Sequence, residues 1–179
     1  GEQILSSDDV TTSAADPPGS LIVLGSGAVG VEFASMYCDF GTDVTVVEIL
    51  DQIVPAEDPE VSAELAEAFG KRGIRVLTGT RADPASLEKT DGAVAIGVAG
   101  EGGEETLKAD ALLVAVGRRT LTEDLNLAAT GVEVDDRGLI RVDEFYRTAE
   151  PGVYAAGDVI GGYWLAHAAG HEGIVAVEH

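Results

Sequence analysis

Three glycines, Gly25, Gly27 and Gly30, stand in G-x-G-x-x-G spacing directly after the apolar run Leu21-Ile22-Val23-Leu24. That spacing suits one kind of chemistry, the cradling of a nucleotide pyrophosphate by backbone. The first glycine permits a tight turn, the second lets a ligand come close to the chain, and the third lets a helix pack on the strand. A helix starting there, at Ala28 and Val29 after the intervening Ser26, offers free N–H groups and a positive dipole end to phosphate oxygens. Glu48 follows about twenty residues beyond the first glycine, at the end of the next apolar run. A carboxylate so placed accepts hydrogen bonds from both hydroxyls of an adenine ribose. A 2′-phosphate beside Glu48 meets like-charge repulsion, and no arginine follows directly to pair with it, so NAD is expected over NADP. On spacing alone, the elbow also suits flavin, another nucleotide or no ligand.

The elements that must position these groups are written in the flanking residues. Val29, Phe33, Met36, Tyr37 and Phe40 fall on one helical face, and Gly41 is placed to end that helix. Val44 to Val47 has the apolar continuity of a buried parallel strand, which completes a β-α-β unit. Asp58 as N-cap, Pro59 at the first helical position and Gly73 as stop define a second helix. A strand over Ile74 to Thr78 follows. Gly92 to Val98 and Glu104 to Lys108 alternate around a glycine-rich turn, predicting a small antiparallel excursion. Ala111 to Val116 is a further buried strand, closed by Gly117. Beyond Arg118-Arg119 the pattern predicts short strands at Leu139 to Val142 and Val153 to Ala156, then a helix from about Tyr163. The first twenty residues read as polar, with Asp16-Pro17-Pro18-Gly19 closing the stretch as a breaker.

Composition narrows the function. The formal charge of −21, from 32 acidic and 11 basic residues, repels phosphate backbones and argues against nucleic-acid binding. No apolar run approaches the roughly 18 residues of a membrane span, and no targeting segment is evident, so a cytoplasmic protein is expected. The opening residue, Gly1, points to a chain cut from something longer, as does a C-terminal helix still running at His179. Cys38 is the single cysteine, which excludes an internal disulfide and fits a packed helix residue. His167 and His171 share a helix face without a third ligand, so no metal site is expected. Glu60, Glu64 and Glu67 fit a solvated helix face.

Three stretches carry a resemblance: Leu21 to Glu48, Ala111 to Arg119 (ALLVAVGRR) and Gly152 to Glu178 (GVYAAGDVIGGYWLAHAAGHEGIVAVE). With Glu57 to Ser62 they resemble the pyridine nucleotide-disulfide oxidoreductases, and within them the dihydrolipoamide dehydrogenases. The GD…LAH…EG combination is the most specific part. The resemblance implies an α/β fold: a Rossmann-like NAD-binding domain over residues 1–119, a parallel sheet with helices and an antiparallel excursion. Residues 120–179 would be a β-rich segment of a discontinuous FAD domain. It also implies roles. Gly25 to Glu32 would line the NAD pyrophosphate and nicotinamide, with Glu32 near the junction with flavin; Glu48 would hold the ribose, and Ala82 would lie beside the adenine. Gly117 would let cofactor pass close to the backbone. Asp158 would bind the ribityl and phosphate region of FAD, with Trp164, Leu165, Ala166 and His167 running along the flavin. Without the resemblance, Asp158 could equally cap a turn.

The implied reaction of the whole enzyme is oxidation of dihydrolipoamide. Electrons pass to an enzyme disulfide, then to FAD, then as hydride to NAD. The implied partners are a lipoamide-bearing protein of a 2-oxoacid dehydrogenase complex and a second copy of the enzyme. The 179 residues show no cysteine pair and no second glycine fingerprint, and their three histidines do not sit in a dimerisation domain that would carry the family's C-terminal His–Glu acid–base pair, so no catalytic residue is assigned and the chain alone is expected to be inactive. An NADH-dependent flavin reductase of the ferredoxin reductase or NADH oxidase type would share the fingerprint. So would a non-catalytic NAD-binding module, although half a flavin site would be superfluous in one.

Overall fold

Apolar runs without alternation bury both faces of a strand, which requires cover on each side. The computed structural model, which describes residues 3–179, has that arrangement. Strands β1 (Ile4–Leu5), β2 (Ser20–Leu24), β3 (Asp43–Val47), β4 (Arg75–Leu77) and β8 (Ala111–Val114) form one parallel sheet in the order β1-β8-β2-β3-β4. Between them in sequence lie β5 (Arg81–Thr90), β6 (Ala93–Gly100) and β7 (Gly103–Ala109), a separate antiparallel sheet. The helices are α1 (Ser7–Thr12), α2 (Ala28–Asp39), α3 (Pro59–Lys71) and α4 (Ala166–Glu178).

Period-two alternation divides β2 between two cores. Leu21 and Val23 pack with Val44, Val46, Ala34, Tyr37 and Phe69 on the helical side. Ile22 points the other way, with Leu112, against Val94, Ile96, Val98 and Leu107 of the antiparallel sheet. Burying each such side chain stabilises the fold by about 1.5–3 kcal/mol. The central strands are therefore the most firmly held part of the chain, and the loops at their C-terminal ends inherit that rigidity. Helix α3 starts as expected: the Asp58 carboxylate accepts the Glu60 N–H at 2.8 Å, and Pro59 follows at the first helical position.

Residues 1 and 2 lie outside the described ones; within the polar opening stretch, Ile4–Leu5 pair with Leu112 and Leu113. Ser6 and Asp9 close a reciprocal capping box at the start of α1. No sequence pattern marks β5, because its alternation is poor and Pro84 interrupts it. It is an edge strand whose register breaks between Asp83 and Glu88, where a residue without an N–H is tolerated.

The chain divides into two compact units after Gly117. In the second, Arg118–His179, the expected strands at 139–142 and 153–156 reduce to single antiparallel bridges, Val134 with Ile140 and Arg147 with Tyr154. Aspartates take the hydrogen bonds that ladders would have used. Asp135 accepts the N–H groups of Arg137 and Leu139, and Asp143 those of Phe145 and Arg147. The C-terminal helix begins at Ala166 rather than Tyr163. Trp164 has a left-handed backbone (φ 56°) and Leu165 is extended, so neither continues a helix.

Candidate functional site

The G-x-G-x-x-G elbow sits at the C-terminal end of β2, where the chain leaves for β3 on one side while β8 lies on the other. Ligands of open parallel sheets bind at such a switch point. The Gly25 N–H donates to the Val47 carbonyl at 2.8 Å, tying the elbow to β3. Gly25 has φ +91°, and a Cβ there would come within 2.5 Å of the Ala115 carbonyl oxygen. A Cβ at Gly30 would overlap the carbonyl oxygen of Gly25, so α2 can cross this close to the strand only with glycine there. At Gly27 nothing lies within 4 Å of a Cβ position. Gly27 is the N-cap of α2, with no side-chain cap and no acid in the first turn. The N–H groups of that turn therefore suit an anion.

Glu48 follows β3 and is buried, at 6% exposure. Its Oε2 accepts both the backbone N–H and the hydroxyl of Ser26, each at 2.8 Å. Its Oε1 accepts the Leu50 N–H at 2.9 Å. Burial pushes the carboxyl pKa up, but the hydrogen bonds from Leu50 and Ser26, with a lesser contribution from the Ile49 N–H, together outweigh it and hold the group below the ordinary glutamate value. Glu48 is thus an ionised acceptor. Three of its roughly four lone-pair positions are filled from within the protein.

The glycine elbow and this carboxylate border one cavity of about 540 Å³. Gly25, Ser26, Gly27, Glu48, Ala82 and Gly117 all line it, with Leu50, Pro55 and Pro84 as apolar walls. Ala28, Val29, Gly30 and Glu32 continue into α2 and do not line this cavity. Arg81, beside Ala82 on β5, also lines it. No local signal marks that arginine, because the strand that carries it is itself poorly patterned.

Asp158, Trp164, Leu165, Ala166 and His167 belong to the second unit. Asp158 opens a 3₁₀ turn (Gly157–Ile160) without capping it through its side chain. Its carboxylate instead pairs with Arg118 at 3.2 Å. Arg118 also donates to the Trp164 carbonyl at 3.2 Å, and its guanidinium stands 4.8 Å from the indole centroid. Leu165 is the N-cap of α4, and Ala166 and His167 form its first turn. Glu172 reaches back from α4 to accept the Gly157 N–H at 2.6 Å. Cys38 is half-buried on α2, 3.5 Å from the Arg72 carbonyl oxygen.

Comparison with known proteins decides the family. Residues 2–173 match the sequence model of the family described as "Pyridine nucleotide-disulphide oxidoreductase". The chain belongs to that family. Among curated members, the dihydrolipoyl dehydrogenase of Bacillus subtilis (strain 168) is 42% identical over 179 residues, all of this chain and 37% of the relative. The dihydrolipoyl dehydrogenase of Thermus scotoductus is 45% identical over 90% of this chain and 35% of its own length. Among solved structures, LpdA from Mycobacterium tuberculosis superposes with a TM-score of 0.85 at 34% identity, covering 99% of this chain and 38% of that one. The HOCl-induced flavoprotein disulfide reductase RclA from Escherichia coli, as its Cu(II) complex, gives 0.87 at 28% identity over 98% of this chain and 39% of its own. The chain thus spans little more than a third of these oxidoreductases. It has their mixed α/β architecture, a parallel sheet with a small antiparallel one. Among the described residues, no helix is long and apolar enough to cross a membrane.

Proposed function

We propose that residues 1–119 bind NAD and that residues 120–179 contribute one segment of an FAD site, within a dihydrolipoyl dehydrogenase-like flavoenzyme. One observation carries this reading: the glycine elbow and a buried, ionised Glu48 border the same cavity. The residues present fit a dinucleotide. Pyrophosphate oxygens would be held by N–H groups at the start of α2, whose N-cap leaves room for close approach. Glu48 would take ribose hydroxyls with its remaining acceptor capacity. The apolar walls beside Ala82 suit an adenine ring. Gly117 would let the cofactor lie against the backbone leaving β8. Glu32 is proposed to stand near the nicotinamide.

In the second unit, Asp158 is proposed to hold the ribityl and phosphate region of FAD. Trp164, Leu165, Ala166 and His167 would flank it, with Arg118 fixing the Asp158 carboxylate and the Trp164 carbonyl. When bound, the two cofactors carry electrons from a substrate dithiol to the nicotinamide. This chain's share is to bind and orient them, which lowers the entropic part of the barrier. The proposed substrate of the whole enzyme is a dihydrolipoamide group on a partner protein of a 2-oxoacid dehydrogenase complex. A homodimer in the cytoplasm is the proposed setting. Cys38 alone provides no dithiol, so the 179 residues by themselves are expected not to turn over lipoamide.

Titration of the chain with NADH and NADPH, followed by nicotinamide fluorescence, tests the reading. Saturable NADH binding at least tenfold tighter than NADPH is expected. Equal affinities, or no binding, would overturn the assignment of Glu48 and the elbow.

A further inference from the structure

Ser26 occupies a position that the glycine spacing leaves open to any residue, yet it is fully buried and uses every polar group it has. Its N–H and its hydroxyl both donate to Oε2 of Glu48, at 2.8 Å each. Its carbonyl oxygen accepts the N–H of Val54, also at 2.8 Å. Val54 itself holds a left-handed backbone (φ +40°), which a β-branched residue adopts only under constraint from its surroundings. Ser26 therefore joins three segments at one point: the glycine elbow, the acid after β3 and the loop between β3 and α3.

From this geometry we infer that Ser26 is a positioning residue for the adenosine end of the cofactor. Its hydroxyl fixes the rotamer of Glu48 and holds the carboxylate ionised, so that Oε1, which takes the Leu50 N–H, keeps an acceptor position for a ribose hydroxyl. The inference rests on the NAD-binding reading above. Without the hydroxyl, the carboxylate would still be held by one N–H on each oxygen, from Ser26 on Oε2 and from Leu50 on Oε1. The hydroxyl adds a second donor on Oε2 at the same distance, which narrows the range of orientations left to it. Two donors on one oxygen also lower the free energy of the charged form more than one does. Preset orientation raises affinity because the ligand does not have to order the acceptor itself.

The other charged groups around Glu48 are few. Arg81 on β5 lines the cavity, and Asp51 stands beside Gly79 in the neighbouring loop. The first turn of α2 carries no acid. Neither β2 nor β8 carries an ionisable side chain. Neither Arg81 nor Asp51 is altered by a substitution at Ser26.

The test compares the full chain with Ser26→Ala by two measurements. Carbon-13 carboxylate NMR gives the titration of Glu48 in the unliganded protein, its resonance assigned by its loss in Glu48→Gln. Calorimetric titrations with NAD⁺, which survives acid as NADH does not, from pH 8 to pH 3 give the acid limb of binding. In Ser26→Ala, the Glu48 titration and the acid limb are expected to move up together by about one pH unit, as loss of one charge-assisted hydrogen bond requires. NAD⁺ affinity at pH 8 should fall severalfold. Ser26→Cys keeps the shape but offers a weaker donor, and should give an intermediate shift if the alanine variant does not fold. An unmoved Glu48 titration overturns the inference whatever NAD⁺ does. A moved titration with an unmoved acid limb overturns the link to the cofactor. Failure of the unsubstituted chain to bind NAD⁺ overturns the dinucleotide reading first, and this inference with it.

Discussion

The two units hold their candidate site residues by different means. In the first, Gly25, Ser26 and Glu48 follow strands whose side chains are almost wholly buried: Leu21, Val23, Val46 and Leu113 each have 1% exposure or less. Their backbone groups are fixed by parallel ladders on both sides of β2. In the second unit, Ile140, at 7% exposure, is the one buried hydrophobic residue among those described, and α4 buries none. There Asp158 and Trp164 depend on a half-exposed arginine and on turns closed by aspartates. One site is preset by packing, which salt and single surface substitutions barely disturb. The other is set by charge–charge contacts in contact with solvent, which are screened and individually weak.

The largest effects should come from changing packing in the first unit while making the same change in the second. Gly30→Ala places a methyl group where the Gly25 carbonyl oxygen already is, so β2 and α2 must move apart. A loss of about 3 kcal/mol, near the upper end for overpacking, is expected, with NADH binding abolished. Gly170→Ala makes the same substitution in α4, where nothing lies within 4 Å of the new atom. Removing a mid-helix glycine should there stabilise by about 0.5–1 kcal/mol. Chemical denaturation of the two variants, read by far-UV circular dichroism, gives both numbers. Equal effects would mean that packing does not distinguish the two units.

Glu48 provides the next contrast. Glu48→Gln removes the charge but can keep an acceptor for Ser26, so the fold should persist. Without like-charge repulsion, and with Arg81 lining the same cavity, the preference for NADH over NADPH should fall by tenfold or more, about 1.4 kcal/mol. Parallel titrations with the two nucleotides measure it, and an unchanged ratio would remove Glu48 as the discriminating group. The same residue sets a pH dependence. Its folded pKa is depressed below the ordinary glutamate value of 4.5, so its contribution to stability is fully present above that pH. The contribution is lost as pH falls from there through the folded pKa. Between pH 6 and pH 3 the unsubstituted chain should therefore lose more stability than Glu48→Gln. Identical slopes in urea titrations would show that the depression is not felt by the fold.

The same contrast explains what could be read in the sequence. Gly25, Gly27, Gly30 and Glu48 are legible because phosphate and ribose recognition demands fixed residue types at fixed separations along a strand–turn–helix. The central strands are legible because burial on both faces removes polar residues from them. Asp58, Pro59 and Gly73 mark α3 through rules that act within a single turn of helix. Ser26 is silent, since the motif places no demand on its position and its role appears only when β3 brings Glu48 alongside. Arg81 is silent for a similar reason: it arrives on an edge strand that carries a proline and lacks alternation. In the second unit, local aspartate turns replace ladders, so short, largely apolar stretches such as Leu139 to Val142 give a strand signal where only a bridge forms. Trp164 breaks the expected helix start through a left-handed backbone that its residue type does not announce.

The smallest expected effect lies in the second unit and probes its dependence on charge most directly. Arg118 holds the Asp158 carboxylate and the Trp164 carbonyl at 3.2 Å, with about half of each charged side chain exposed. An ion pair so exposed contributes at most about 1 kcal/mol. Arg118→Lys keeps the charge but loses the planar fork that spans two acceptors and stacks on indole. It should therefore loosen the turn from Asp158 to Trp164 without unfolding the unit. Amide hydrogen exchange should speed up in that turn, while Glu48 and its neighbours in the first unit keep their protection. Raising salt to 1 M should speed exchange of the same turn in the unsubstituted chain, because screening at that concentration acts within about 3 Å. Exchange that ignores both substitution and salt would mean that the Asp158 segment is held by packing after all, and the contrast between the two units would not stand.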